Sequence, residues 1–312
     1  MDLGVQIEPQ FGFSYESVRD IARAAHTAGF TRLWVSDHLF LHKDAVAVDC
    51  LEAWTLLAAL ARDTEGIRIG PMVTCQSYRN PALLAKIAAG VDQMSGGRLE
   101  FGIGAGWKDV EYKAYGYEFP EAGVRVTQMV ETLEICTRLW TQERASYTGK
   151  YYRIEEAVSA PKPTQKPLPI WVGGTKPRVM RIAAKWAQWF NMSNPSQSAV
   201  DRIEVMRAGV DAACKDVGRD PSTLKRSLFV QAFVASTRAE LAALVDTLAK
   251  RANITRDAWL AARSGAIVGT TDEAAERFRA IAKAGVDHAN VMLPYGHELA
   301  GVKALAEVAR ER

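Results

Sequence analysis

Short apolar runs, each about one strand long, alternate with helix-period segments along almost the whole chain. That alternation is the pattern of parallel strands joined by crossover helices. LGVQI (3–7), LWVS (33–36), IRIGPMV (67–73) and RLEFGIG (98–104) read as the first four strands. PIWVG (169–173), WFNMS (189–193), LFVQAFVA (228–235) and HANVML (288–293) read as the other four. Helical spacing occupies 14–28, 51–62, 81–94, 124–140, 176–187, 196–217, 237–251 and 272–284. Several of these helices carry end signals: Ser14 and Gly29 bracket the first, Asn80-Pro81 opens the third, and Asp272 and Gly285 bracket the last. Residues between 251 and 272 read as less regular. Eight strands suffice to close a barrel around a filled interior. The predicted fold is therefore α/β, a (β/α)8 TIM barrel forming a single domain over 1–312, with an open doubly wound sheet as the rival arrangement. An insertion is expected at about 141–168, where YTGKYYRI has the look of a hairpin and APKPTQKPLP that of an extended connector.

Composition narrows the function classes. The formal net charge is only +3, which gives no footprint for nucleic acid, although a local basic patch can still hold an anionic cofactor. Cys50, Cys75, Cys136 and Cys214 stand far apart with no CxxC pair, so neither a zinc site nor a dithiol motif is indicated, and free thiols suit a reducing cytoplasm. No run of 18 apolar residues is present and MDLGVQIEPQ does not read as a signal peptide, so neither a membrane span nor secretion is expected.

In a barrel of this kind chemistry gathers at the carboxyl ends of the strands. Polar residues and glycines cluster there, while strand interiors are apolar. Ser36-Asp37-His38 follows the second strand. A carboxylate next to an imidazole can orient it for proton transfer near neutral pH; alternatively, Asp37 caps a turn and His38 is an ordinary polar residue. GIGAGW (102–107) follows the fourth strand. Its glycines either bare the backbone to a flat ring or mark a tight turn, and Trp107 is placed to wall a ring pocket. VGGTKPRV (172–179) runs from a strand through Gly173, Gly174 and Thr175 into a helix, with Lys176 and Arg178 adding charge. Backbone N–H groups at such a helix start bind phosphate; the plainer reading is an ordinary strand–helix turn. GTTDE (269–273) has the look of an N-cap. His288, at the amino end of the last strand, reads as structural, as do Arg125 and Glu131.

These residues carry a family resemblance. LWVSDHLF (33–40), EAWTLLAALARDTEGIRIGPMVT (52–74), YRNPALLAKIAAGVDQMSGGRLEFGIGAGW (78–107), EYKAYGYEFP (111–120) and PLPIWVGGTKPRVMRIAAKWAQWFN (167–191) resemble the luciferase-like monooxygenase superfamily, most closely its branch dependent on the deazaflavin coenzyme F420. The resemblance implies a barrel of the bacterial luciferase-like type with insertion segments. It implies that Asp37 and His38 are catalytic and lie beside the cofactor ring, and that Met72, Val73, Thr74, Gly104, Gly106 and Trp107 surround that ring. A cis peptide between Met72 and Val73 is part of the same expectation. Gly173, Gly174, Thr175 and Ser193 are implied to bind the cofactor phosphate. Two departures stand out. Trp107 occupies a place that is acidic in the family's sugar-phosphate dehydrogenases, and Ala187-Gln188-Trp189 replaces a usual Ala-Asp-Gly turn.

The expected function is F420-dependent hydride transfer to or from a small organic substrate. The alternatives are a monooxygenase using reduced FMN and a non-catalytic flavin-binding protein. No metal, nucleic-acid or membrane partner is expected, and the family commonly forms homodimers.

Overall fold

A computed structural model describes residues 1–192 and 200–311. The strands are β1 (Asp2–Ile7), β2 (Arg32–Val35), β3 (Arg68–Pro71), β4 (Thr74–Cys75), β5 (Phe101–Gly104), β6 (Arg144–Thr148), β7 (Arg153–Val158), β8 (Ile170–Gly173), β9 (Trp189–Met192), β10 (Lys225–Ala235), β11 (Ile267–Thr270) and β12 (His288–Met292). One parallel sheet runs β3-β2-β1-β12-β10-β9-β8-β5-β4. β3 and β4 are two ends of one stave, separated by Met72-Val73, whose peptide bond is cis. The ring closes where Ile69 bridges Leu99 and where β4 pairs with β5. The predicted (β/α)8 barrel is therefore what the chain forms.

Alternate strand residues explain why it closes. Outward-facing Leu3, Val5, Leu33, Ile69, Ile103, Val172, Leu228 and Val291 are buried in one apolar cluster with the surrounding helices. Inward-facing positions fill the base of the lumen with aromatic and charged groups. Trp171 and Trp189 stack with centroids 4.2 Å apart, and the Arg32 guanidinium lies 5.2 and 4.9 Å from those two ring centroids. Glu100 accepts hydrogen bonds from Arg32 (3.1 Å), Trp171 (2.6 Å) and Arg68. His288 accepts the Trp34 indole N–H at 3.1 Å, and burial holds its imidazole well below its ordinary pKa, so it is neutral and structural as read. The altered turn finds its use here: the Gln188 side-chain oxygen accepts the Ile170 amide at 2.8 Å, and Trp189 supplies one ring of the stack.

Helix boundaries follow the sequence signals closely. The Ser14 hydroxyl accepts the Ser17 amide, Gly29 closes that helix at φ 103°, and Asn80 accepts the Ala82 amide ahead of the helix Pro81–Met94. One cap moves. The backbone of Thr270, not Asp272, meets the Glu273 carboxylate at 2.8 Å. The stretch between 251 and 272 also contains more order than expected: Arg256–Ala261 is a helix, and β11 pairs with the upper half of β10 from Ala232↔Ile267 to Ala235↔Thr270. Gly269 interrupts a run of only four residues, too short for its period to register in the sequence. The inserted hairpin β6–β7 is present, and Glu131 pins its turn by accepting the amides of Lys150, Tyr151 and Tyr152 at 2.9–3.0 Å. Arg125 instead sits over the Phe119 ring, 3.9 Å from its centroid. Among the described residues, no helix is long and apolar enough to cross a membrane.

Glycines at the staves give a direct test. A Cβ on Gly102 would lie 2.1 Å from the Pro71 carbonyl oxygen, whereas one on Gly90, inside the helix Pro81–Met94, would meet nothing within 4 Å. Gly102→Ala is expected to destabilise by about 1–3 kcal/mol through backbone overpacking. Gly90→Ala is expected to stabilise by about 0.5–1 kcal/mol through helix entropy. Denaturant melts of the two variants should therefore shift in opposite directions.

Candidate functional site

A cleft of about 500 Å³ opens over the tips of β2, the β3–β4 junction, β5, β8 and β9. Hollows of comparable size lie elsewhere, for example about 440 Å³ beside Val234 and His297. The mouth cleft gathers five strand tips and a helix start. Asp37, His38, Met72, Val73, Gly104, Gly106, Trp107, Gly173, Gly174 and Thr175 all border it. Thr74 does not. It is fully buried, and its hydroxyl donates to Asp37 at 2.8 Å while accepting the Trp54 indole N–H at 3.0 Å. Thr74 is a support beneath the cleft rather than part of its wall. Ser193 lies outside the described residues.

Asp37 is not the partner of His38. Its carboxylate turns toward the β3–β4 stave, accepting the Cys75 amide at 2.9 Å and two guanidinium N–H groups of Arg79 at 2.7 and 2.9 Å. Arg79 also pairs with Glu52, the N-cap of the helix Ala53–Asp63. Burial works against the charge on Arg79, yet the two carboxylates hold its pKa above the ordinary value. This buried pair fastens the strand tip next to Met72-Val73.

The carboxylate that meets His38 is Glu111, in the short helix Asp109–Tyr115 that the sequence reading missed. Glu111 Oε2 lies 3.0 Å from His38 Nδ1 and accepts the Tyr78 hydroxyl at 2.8 Å. Its Oε1 accepts the Leu39 amide at 2.9 Å and the Lys108 ammonium at 3.0 Å. Burial alone would raise the Glu111 carboxyl, but His38, Leu39 and Tyr78 outweigh it and hold the group at about 2. Burial raises the Tyr78 phenol, with the neighbouring Cys75 and Glu111 adding to the effect. The Trp107 indole stands edge-on to the imidazole, centroids 5.6 Å apart, and is 72% exposed at the cleft rim.

The glycines answer the question left open by the sequence. A Cβ on Gly104 would lie 2.5 Å from Val73, and one on Gly106 (φ 78°) would lie 1.9 Å from the Tyr112 hydroxyl. Both are demanded by packing against the β3–β4 stave and its neighbours, and Gly106 makes the tight turn. Gly173 differs, since a Cβ there would find nothing nearer than 3.5 Å. The helix Pro177–Trp186 starts beside it with no side-chain cap at Lys176. Lys176 borders the cleft, but Arg178 does not serve it: its guanidinium donates to Gly123 and Thr127 at 2.9 and 2.7 Å.

Comparison with known proteins gives the family and the fold. A family model described as luciferase-like monooxygenase matches residues 1–288, and the chain belongs to that family. An F420-dependent hydroxymycolic acid dehydrogenase of Mycobacterium tuberculosis is 32% identical over 70% of this chain and 59% of its own length. An F420-dependent glucose-6-phosphate dehydrogenase of Microbacterium testaceum is 32% identical over 57% of this chain and 52% of its own. The chain thus spans little more than half the length of these relatives. Among solved structures, an F420-dependent secondary alcohol dehydrogenase in complex with an F420–acetone adduct superposes with a TM-score of 0.82 at 19% identity, over 99% of each chain, a likeness of fold.

Two stability tests follow from the buried charges. Arg79→Met strands the 5%-exposed Asp37 without its cation, and a loss of about 3–5 kcal/mol is expected in urea unfolding; a loss under about 1 kcal/mol would mean the pair is not holding the strand tip. Glu111 is depressed from the ordinary 4.5 to about 2, so its contribution is complete above 4.5 and fades as pH falls through 2. Unfolding free energy measured across that window should slope less steeply in Glu111→Gln than in the wild type.

Proposed function

We propose that this member of the luciferase-like family is an F420-dependent oxidoreductase that moves a hydride between the deazaflavin and a small organic substrate. One observation carries the reading: a single cleft joins an imidazole braced by a buried carboxylate to an uncapped helix start reached over bare glycine. The residues fit such a cofactor. Packing does not require Gly173 to lack a side chain, yet the position borders the cleft and leaves its floor open. The backbone at Gly173, Gly174 and Thr175, with Lys176 beside it, would line the phosphate site; the Gly174 amide is already given to the Asn191 carbonyl at 3.3 Å, so that residue would contribute access rather than a donor. Ser193 joins them in this reading. Met72, Val73, Gly104, Gly106 and Trp107 would enclose the ring. When bound, a deazaflavin supplies the hydride chemistry.

The chain's own part is positioning and proton management. Asp37, through Arg79 and Cys75, keeps the β3–β4 wall in place. His38 gives or takes the proton that accompanies hydride transfer, at the edge left 18% exposed. Trp107 offers an apolar face where a sugar-phosphate enzyme would place an acid, which favours substrates without a phosphate. The relatives named for F420 support the cofactor assignment. We further propose a homodimer working in the cytoplasm, consistent with free cysteines.

Titration of the purified protein with F420 and with FMN tests the reading. Saturable F420 binding is expected, with FMN binding weak or absent. Gly173→Leu should weaken F420 at least about tenfold by filling the cleft, with Tm unchanged. His38→Asn should keep the cofactor and lose about 10²–10⁴ in kcat, the usual span of general acid–base catalysis. Tight FMN binding without affinity for F420 would hand the protein to the reduced-FMN monooxygenases instead.

A further inference from the structure

We infer that Glu111 is the positioning residue for His38: its carboxylate fixes the neutral imidazole as the Nδ1–H tautomer and leaves Nε2 as the nitrogen that exchanges protons in the cleft. The inference rests on the proposed role of His38 for its catalytic consequence, but the tautomer itself is a property of the protein without cofactor.

The argument is one of donors and acceptors. An ionised carboxylate only accepts, so a ring nitrogen 3.0 Å from it has to carry the hydrogen. Glu111 cannot give up that ionised state cheaply. Its Oε1 is taken by the Leu39 amide and the Lys108 ammonium, neither of which can accept a proton, and its Oε2 is shared by His38 and Tyr78. A protonated carboxyl would have to surrender one of these donors. The same carboxylate grips the backbone just after His38, at Leu39 and Phe40 (2.9 and 3.4 Å), so the imidazole and its own main chain are fixed by one group. Lys108 spans the cage from the other side, donating to the carbonyls of Phe40 and Leu41 at 2.6 and 3.0 Å. Trp107 stands edge-on to the imidazole, at 84° to its plane. In general, the hydrogen bond made by one imidazole nitrogen decides what the other can do. Here the bonded nitrogen is Nδ1, and the carboxylate lies 73 residues away in sequence.

Long-range 1H–15N correlation spectra of 15N-histidine-labelled protein, recorded without cofactor at a pH where the imidazole is neutral, test this directly. His38 is assigned as the resonance missing from His38→Asn. The expected spectrum has Nδ1 in the protonated range and Nε2 in the lone-pair range. An Nε2–H majority, or averaged shifts like those of free imidazole, overturns the inference. Glu111→Gln is expected to bring the shifts toward averaging. It should lower kcat by about 10²-fold while the KM for F420 stays within about twofold. An unchanged kcat in that variant overturns the positioning role. Should neither F420 nor FMN bind, the cofactor reading falls, yet the wild-type spectrum still decides the tautomer.

Discussion

Parallel strands closed into a ring leave a lumen that side chains have to fill, and in this protein the filling is uneven. The base is packed solid by the Trp171–Trp189 stack, the Arg32 guanidinium over it, and Glu100 gathering the surrounding N–H groups. Higher up, the staves β3, β5 and β8 face inward with Gly70, Gly102, Gly104 and Gly173, and the lumen opens. Gly70 and Gly102 are small because neighbouring backbone lies where a Cβ would go. The strands can therefore approach closely on that side, and the empty space they leave above becomes the cleft. A plugged base and a glycine-lined mouth are two results of one constraint.

The cleft walls are strand tips and loops, which carry few of the regular hydrogen bonds that hold a sheet. Buried ions take over that work. Asp37 and Arg79 tie the tip of β2 to the β3–β4 stave, and Glu111 ties the loop after β2 to the helix after β5. Each carboxylate is nearly inaccessible and heavily donated to, which suits positions that must not wander when a ligand enters. The two neighbours Asp37 and His38 thus have separate partners: one braces the wall and the other faces the cleft.

Sequence adjacency misled in that respect. Asp37 lies next to His38, so a local carboxylate–imidazole pair was the natural reading, but successive residues at a strand end point to different sides. Glu111 left no local signal, because a seven-residue helix lacks the period that marks longer ones. Thr74 shows the same difficulty at smaller scale: it sits at a strand tip, yet faces outward into Trp54 and Asp37. Arg178 looked like a phosphate ligand from its place in the chain, and the helix it sits on turns it toward Gly123 and Thr127.

The sequence alone determined the eight staves in order with most of the helices between them, the barrel they close into, and most of the strand tips that border the cleft. Those properties depend on the spacing of apolar residues and on turn and cap residues, which are local. Only the tertiary structure decided which carboxylate holds which base, and that packing demands Gly104 and Gly106 at the cleft but not Gly173. Most of these facts depend on contacts far apart in sequence, such as Asp37–Thr74 and His38–Glu111, 37 and 73 positions apart. No spacing rule reaches across that distance, because the strands that bring those residues together are set side by side only when the ring closes.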